Sequence, residues 1–287
     1  MLKLDQPAYT CEQALESCRQ GITGNNELLQ RVNSDGHLLH FTAQGYVIAA
    51  SSGDLYTLAS TPSRRGYDPL VLGQFRKSEL LKLYSTYFVD QDKPGRKIYN
   101  ALMAAANEKC PFCGGIGRPR NLDHYLPKAH YPQFSVLPVN LVPSCRDCNM
   151  DGKGEHFATD EAQQVLHPYL DNDRYFNEQW VFARYTAGIN DEPGVIEYFV
   201  QPPEHWSDTQ KKRVENHFND FSLDLRFSKE AGPRLVTYLA QIQGLLKIPL
   251  DLNEVKNIIL QPAINAAPFV NHWERVMCVA LMNDLVR

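Results

Sequence analysis

The chain has 287 residues, and no run of eighteen apolar residues occurs among them, so nothing in the sequence reads as a membrane-spanning helix. The opening run MLKLDQPAYTCEQALESC lacks the apolar centre of a secretory signal, which predicts a cytoplasmic protein. Without export, the seven cysteines are expected as thiols or metal ligands, not disulfides. No internal repeat and no low-complexity tract is present, which excludes solenoids and compositionally disordered arms. There is no excess of positive charge either: 29 basic against 33 acidic residues leave a net charge of −4. A polyanion-binding protein normally relies on cationic contacts for most of its non-specific affinity, so capture of such a ligand would need a partner, an oligomer or a narrow groove. Composition is otherwise that of an ordinary globular protein, with 43% hydrophobic and 22% charged residues, and the length predicts two or three structural units.

Residues 1–50 carry helical signals. Thr10 is placed to cap a helix through Glu12, Ala14, Leu15 and Cys18, and Asn25-Asn26 precede a second. Cys11 and Cys18 lie seven apart on one helical face and read as core thiols. Residues 51–75 read as a loop-rich connection. Helical periodicity returns at 76–89, breaks at Pro94-Gly95, and resumes at 98–107. Beyond 170, the segments 180–185 and 195–200 alternate apolar and polar residues around the turn 189–194, the pattern of a β-hairpin. From Ser207 onward the pattern is helical. One amphipathic stripe is expected at Val236, Leu239, Ile242 and Leu245-Leu246, another at Trp273, Val276, Met277, Leu281 and Leu285. The fold class is therefore α+β and mostly helical, with regions at 1–107, 108–175 and 176–287.

The middle region holds the chemistry. Cys110-Pro-Phe-Cys113 and Cys145-Arg-Asp-Cys148 are two CxxC pairs, each turning tightly enough for both sulfurs to reach one ion. Together they predict tetrahedral coordination of a structural zinc, with no open position for catalysis. The long gap between the pairs accommodates a strand, a loop and a return strand. Inside it lie Asp123-His124 and Asn140, and Asn149 follows the second pair directly. A carboxylate, an imidazole and a carboxamide held by one knot point to a second metal site. Adjacent strand residues point to opposite faces, so a bend or bulge is expected to bring Asp123 and His124 into one pocket. Asn149 is expected where a helix begins. Basic residues in 110–154 are Arg118, Arg120, Lys128, Arg146 and Lys153, against Asp123, Asp147 and Asp151, a local excess of two.

The run LDHYLPK…NLVPSCRDCNMDGKG resembles the HNH endonuclease superfamily, the ββα-metal fold, in its variant with two CxxC pairs similar to the recombination endonuclease VII type. The resemblance covers residues 110–154. It implies that His124 is the general base that activates water, and that Asp123 and Asn149 hold one divalent cation, Mg²⁺ or Mn²⁺. It implies that Asn140 braces the loop and orients the histidine, and that Cys110, Cys113, Cys145 and Cys148 bind the zinc. The third letter of the family name is Asn149 here instead of histidine. Arg118, Arg120, Lys128, Arg146 and Lys153 are then candidates for phosphate contacts on nucleic acid, with DNA favoured over RNA. His130 and His156 read as surface residues, and His167 as packing against the core.

The helical flanks also resemble bacterial anti-phage effectors of the Septu type, in which an HNH protein works beside an ATPase. That resemblance implies an ATPase partner or a homo-oligomer and no membrane association. A non-catalytic zinc-containing module that binds nucleic acid, or a scaffold protein, is the competing reading.

Overall fold

A computed structural model describes residues 1–189 and 192–285. The chain divides into two units, one formed by residues 3–171 and the other beginning at Asn172 and taking in Met1–Leu2.

The first unit opens with helix α1 (Cys11–Gly21), closed at its start by a reciprocal cap. Thr10 Oγ1 accepts from the Gln13 amide at 3.2 Å while Gln13 Oε1 accepts from the Thr10 amide at 2.9 Å. Asn25 caps the long helix α2 (Asn26–Ser52), which Gly53 ends in the left-handed region. The connection read as loop contains a 3₁₀ turn at Leu55–Thr57 and a small hairpin, β1 (Leu70–Leu72) with β2 (Phe75–Arg76). Its apolar run is too short to show a period. The hairpin turns tightly on α2: at Gly73, with φ +53°, an added Cβ would meet Asp35 Oδ2 at 2.5 Å. Helix α3 (Lys77–Lys82) widens into a π-helical stretch at Leu83–Phe88. Gly95 lets the start of α4 (Arg96–Ala105) approach this stretch, since a Cβ there would lie 2.5 Å from Tyr87 O.

Strand β3 (Asn121–His124) pairs antiparallel with β4 (Leu141–Ser144), from Asn121 opposite Ser144 to His124 opposite Leu141. After β4 the chain enters a π-helical turn, Asp147–Lys153. A single apolar core joins the helices to this segment: Ala14, Leu28, Leu80, Phe88 and Ile98 are buried together with Leu122, Val136 and Leu141. The regions delimited as 1–107 and 108–175 therefore share one core, and the knot rests on the helices before it.

The second unit has a short helix α5 (Arg174–Asn177) and the expected hairpin, β5 (Val181–Thr186) with β6 (Val195–Val200), paired Val181 to Val200 through Thr186 to Val195. Residues 190 and 191 of the expected turn, like the final two of the chain, lie outside the described residues. Helices α6 (Asp208–Asp220), α7 (Leu223–Leu245), α8 (Leu252–Ile259), α9 (Gln261–Ala266) and α10 (Trp273–Asp284) follow. Helix α10 packs on β5 and α7 on β6. The buried stripe of α7 is Leu223, Phe227, Ala231, Leu235 and Ile242. Val236, placed in that stripe from sequence, is 51% exposed. The phase of α7 is set by its first turns, where Leu223 and Phe227 are anchored, and by Val236 that phase has carried the side chain outward. On α10, Val276, Met277 and Leu281 are buried as expected. Among the described residues no helix is long and apolar enough to cross a membrane.

Candidate metal and catalytic centre

The four CxxC cysteines converge. Their sulfurs all lie within 4.8 Å of one another and every one of the four residues is buried. Tetrahedral zinc with Zn–S near 2.3 Å needs sulfurs about 3.8 Å apart, so the cluster fits one such ion with a slight contraction. The first pair sits on a tight backbone loop. Cys110 N–H donates to Gly117 O at 2.8 Å, Gly115 N–H to Cys110 O at 2.9 Å, and Gly117 N–H to Cys113 Sγ at 3.3 Å. Gly114 and Gly115 both have positive φ, which a side chain would disfavour. The second pair straddles the end of β4 and the π-helical turn, with Asn149 N–H donating to Cys145 O at 3.0 Å. Hydrogen bonds from Cys110, then Cys113 and Cys148, pull the Cys145 thiol below its ordinary value. The hydrogen bond to Cys110 lowers Cys113 as well, while Cys110 and Cys148 are raised, and thiols that share protons in this way must release them to bind a cation.

Asp123 and His124 are the last two residues of β3. The pairing of β3 with β4 is regular through both, so the expected bulge is absent. The His124 ring lies edge-on to Tyr84, 4.4 Å between centroids, and its Nε2 lies 2.9 Å from Ser135 O. A carbonyl only accepts, so Nε2 carries the proton and Nδ1 the lone pair of the neutral ring. Burial, with Lys128 adding to it, lowers the His124 pKa to about 3, so the imidazole is neutral at pH 7. Asp123 is 7% exposed, and burial raises its carboxyl pKa against the opposing pull of Lys153. Its Oδ2 accepts no hydrogen bond, although Lys153 Nζ lies 3.3 Å away.

Asn140 ties the loop between the strands. Its Oδ1 accepts from Leu126 N–H at 2.7 Å and from Tyr46 O–H at 2.9 Å, while its Nδ2 donates to Leu126 O and Phe134 O, both at 3.1 Å. Tyr46, on α2, spends its proton on Asn140, so His167 Nε2, 3.1 Å away, is the donor to the phenol oxygen. His167 Nδ1 then accepts from the Tyr169 amide at 3.2 Å. Fully buried, His167 holds the brace in place, in keeping with its expected packing role.

Asn149 is half-buried, and its Nδ2 donates to Asn121 Oδ1 at 2.9 Å, which directs the remaining amide oxygen elsewhere. It lies within the π-helical turn rather than at its first residue. Arg118, Arg120 and Arg146 are exposed, whereas Lys128 is half-buried with Nζ 5.4 Å from the Tyr84 ring centroid. Lys153 departs from the expected phosphate-contacting surface. It is 6% exposed and its ammonium points inward, donating to His124 O at 2.6 Å. His156 is exposed, and His130 packs on Phe157 with centroids 4.9 Å apart. Tyr46 and Tyr84 were invisible in the sequence, since they meet the site across 94 and 38 positions, and Ser135, eleven positions from His124, acts through its backbone carbonyl, which no side-chain motif records.

No protein-family model matches the chain, and no solved structure matches it. A segment of 75 residues, 25% of this chain, is 35% identical to 28% of the Septu protein PtuB of Bacillus thuringiensis. Across 303 aligned positions, covering the whole chain and 99% of the relative, it is 39% identical to protein ea31 of Escherichia phage lambda. At that identity and coverage, the chain belongs to the family of phage lambda protein ea31.

Proposed function

We propose that the chain is a metal-dependent HNH-type endonuclease that hydrolyses phosphodiester bonds in nucleic acid, DNA before RNA, in phage-related conflict. The observation that carries this reading is the pair at the end of β3. One member is a neutral histidine with its Nε2 proton committed to Ser135 O; the other is a buried carboxylate whose Oδ2 is matched only by the charge of Lys153, Nζ 3.3 Å away. A buried carboxylate oxygen held by charge alone is a fitting seat for a hard cation. Asp123 and the amide oxygen of Asn149 would hold Mg²⁺ or Mn²⁺, which would polarise the phosphate and stabilise the departing oxygen. His124 Nδ1 takes the proton of the attacking water, as its neutral state at pH 7 allows. Asn140 keeps the loop under Ser135 closed, so the imidazole holds one tautomer. The zinc held by the four cysteines has no open position and fixes the start of the Asn149 turn against β3. Arg118, Arg120 and Arg146, exposed around the knot, are the phosphate contacts of this reading.

The similarity to a Septu protein supports a partner, and we assign an ATPase or a second copy of the chain to that place. The burial of His124, 4% exposed, favours one competing reading, a non-catalytic zinc module that binds nucleic acid or scaffolds a complex. The test is incubation of the purified chain, with and without the product of the neighbouring gene, against plasmid, single-stranded DNA and total RNA. Cleavage that needs Mg²⁺ or Mn²⁺ and stops with EDTA supports the nuclease; binding without cleavage under every condition supports the module.

A further inference from the structure

Lys153 has 5% of its side chain exposed, unusual for an ammonium, which is buried only against compensating partners. It has two. His124 O accepts from Nζ at 2.6 Å, a short bond to the backbone of the proposed base. Asp123 Oδ2 lies at 3.3 Å, near enough for charge pairing yet without hydrogen-bond geometry. The tight contact is therefore with the carbonyl, and the carboxylate is held only by charge. A stronger ligand can take over an oxygen held in that way.

The same π-helical turn carries Asn149 and Lys153, four residues apart. It is closed by Gly154 N–H donating to Asn149 O at 2.9 Å, with Gly154 in the positive-φ region at +52°. A cation ligand and a cationic side chain thus sit on one rigid turn against one strand. A divalent cation on Asp123 Oδ2 would share that oxygen with an ammonium 3.3 Å away, and two positive charges so close repel strongly in a buried setting.

We propose that Lys153 is the resident counter-charge of Asp123, and that a divalent cation occupies the site only by displacing its ammonium from the carboxylate. The inference rests on the cation reading given above and adds a control to it. In the cation-free protein Lys153 keeps a buried carboxylate neutralised, so the site is built before the cation arrives. The cost is weaker cation binding, since each binding event must break the pair. Lys153 acts here as a positioning residue.

The test uses the full-length, zinc-loaded protein and Mn²⁺ as the probe, titrated calorimetrically at pH 8.5. Lys153→Met keeps the buried stem and removes the charge. It is expected to bind Mn²⁺ about tenfold tighter than the wild type, or more, because a competing cation is gone. Lys153→Arg keeps the charge and is expected to stay near the wild-type affinity. Asp123→Asn is expected to abolish binding in either background. A purely structural lysine predicts the reverse for Lys153→Met, equal or weaker binding, and that result overturns the inference while leaving the cation site standing. Should Lys153→Met fail to fold, labelling of the wild type with an amine-reactive reagent decides. Lys153 is expected to be protected without Mn²⁺ and modified at saturation; protection that persists at saturation overturns displacement. Absence of Mn²⁺ binding in all the chains overturns the cation reading itself, and the inference with it.

Discussion

Replacing Asn140 with alanine removes four hydrogen bonds at once. Leu126 N–H and Leu126 O lose their partner in a buried place and the Tyr46 O–H loses its acceptor, while Phe134 O keeps the Leu137 amide at 3.2 Å and His167 still donates to the Tyr46 oxygen. A buried polar group left unsatisfied costs about 1–3 kcal/mol. Three such groups, with some relief from a water entering the vacated space, give an expected loss of about 3–5 kcal/mol for the first unit. Tryptophan fluorescence cannot report this loss, because Trp180, Trp206 and Trp273 all lie in the second unit. Amide hydrogen exchange at Leu126 reports it directly. Its protection is expected to fall at least about a hundredfold, since 1.4 kcal/mol is a factor of ten. Tyr46→Phe removes two bonds, the one to Asn140 Oδ1 and the one from His167 Nε2, and is expected to cost about 1–3 kcal/mol. The double variant should cost less than the two singles combined, by roughly 1 kcal/mol, because the residues share the first of these bonds. A loss below about 1 kcal/mol in Asn140→Ala would refute the brace, whatever the activity did.

Further outcomes follow from the same geometry. Cys145→Ser is expected to lose the metal and unfold the first unit, since zinc binding worth roughly 10–16 kcal/mol in small modules is largely folding energy; metal content and circular dichroism check this. A folded Cys145→Ser protein with full metal content would contradict the structural role. The neutral burial of His124 makes stability acid-sensitive. Its folded pKa, about 3, lies below the ordinary value of 6.5, so its contribution is complete above 6.5 and is lost as pH falls from there toward 3. The slope is up to about 1.4 kcal/mol per pH unit, opposed at the acid end by Asp123, with its raised folded pKa favouring protonation. Denaturant titrations at pH 7 and pH 5 measure it, and His124→Gln should flatten it. Gly95→Ala is expected to destabilise by about 1–3 kcal/mol, because the new Cβ would press on the Tyr87 carbonyl; an unchanged midpoint would show that α4 can shift.

What was legible in the sequence was local. The CxxC pairs, the Thr10 and Asn25 caps and the 181–200 hairpin are written in residues a few positions apart, and physical chemistry ties such neighbours to one geometry. The brace was not legible, because Tyr46 meets Asn140 across 94 positions and His167 across 121. No spacing rule reaches that far. Lys153 shows a different limit. A basic residue after a glycine reads as a surface contact, and only the fold shows that the turn aims it inward at Asp123. On α7 the expected stripe holds at Ile242, which is buried, and fails at Val236, which faces outward beside the buried Leu235 because periodicity names a face more loosely than packing does.

The proposed nuclease stands or falls with His124, held by Ser135 O and neutral, as its base. The most direct measurement is cleavage of the best substrate by wild type and His124→Ala at saturating Mg²⁺ or Mn²⁺, with zinc content and folding checked in both. Cleavage is expected to fall to background while the zinc and the fold persist. Cleavage that survives in a folded, zinc-loaded His124→Ala protein would contradict that role.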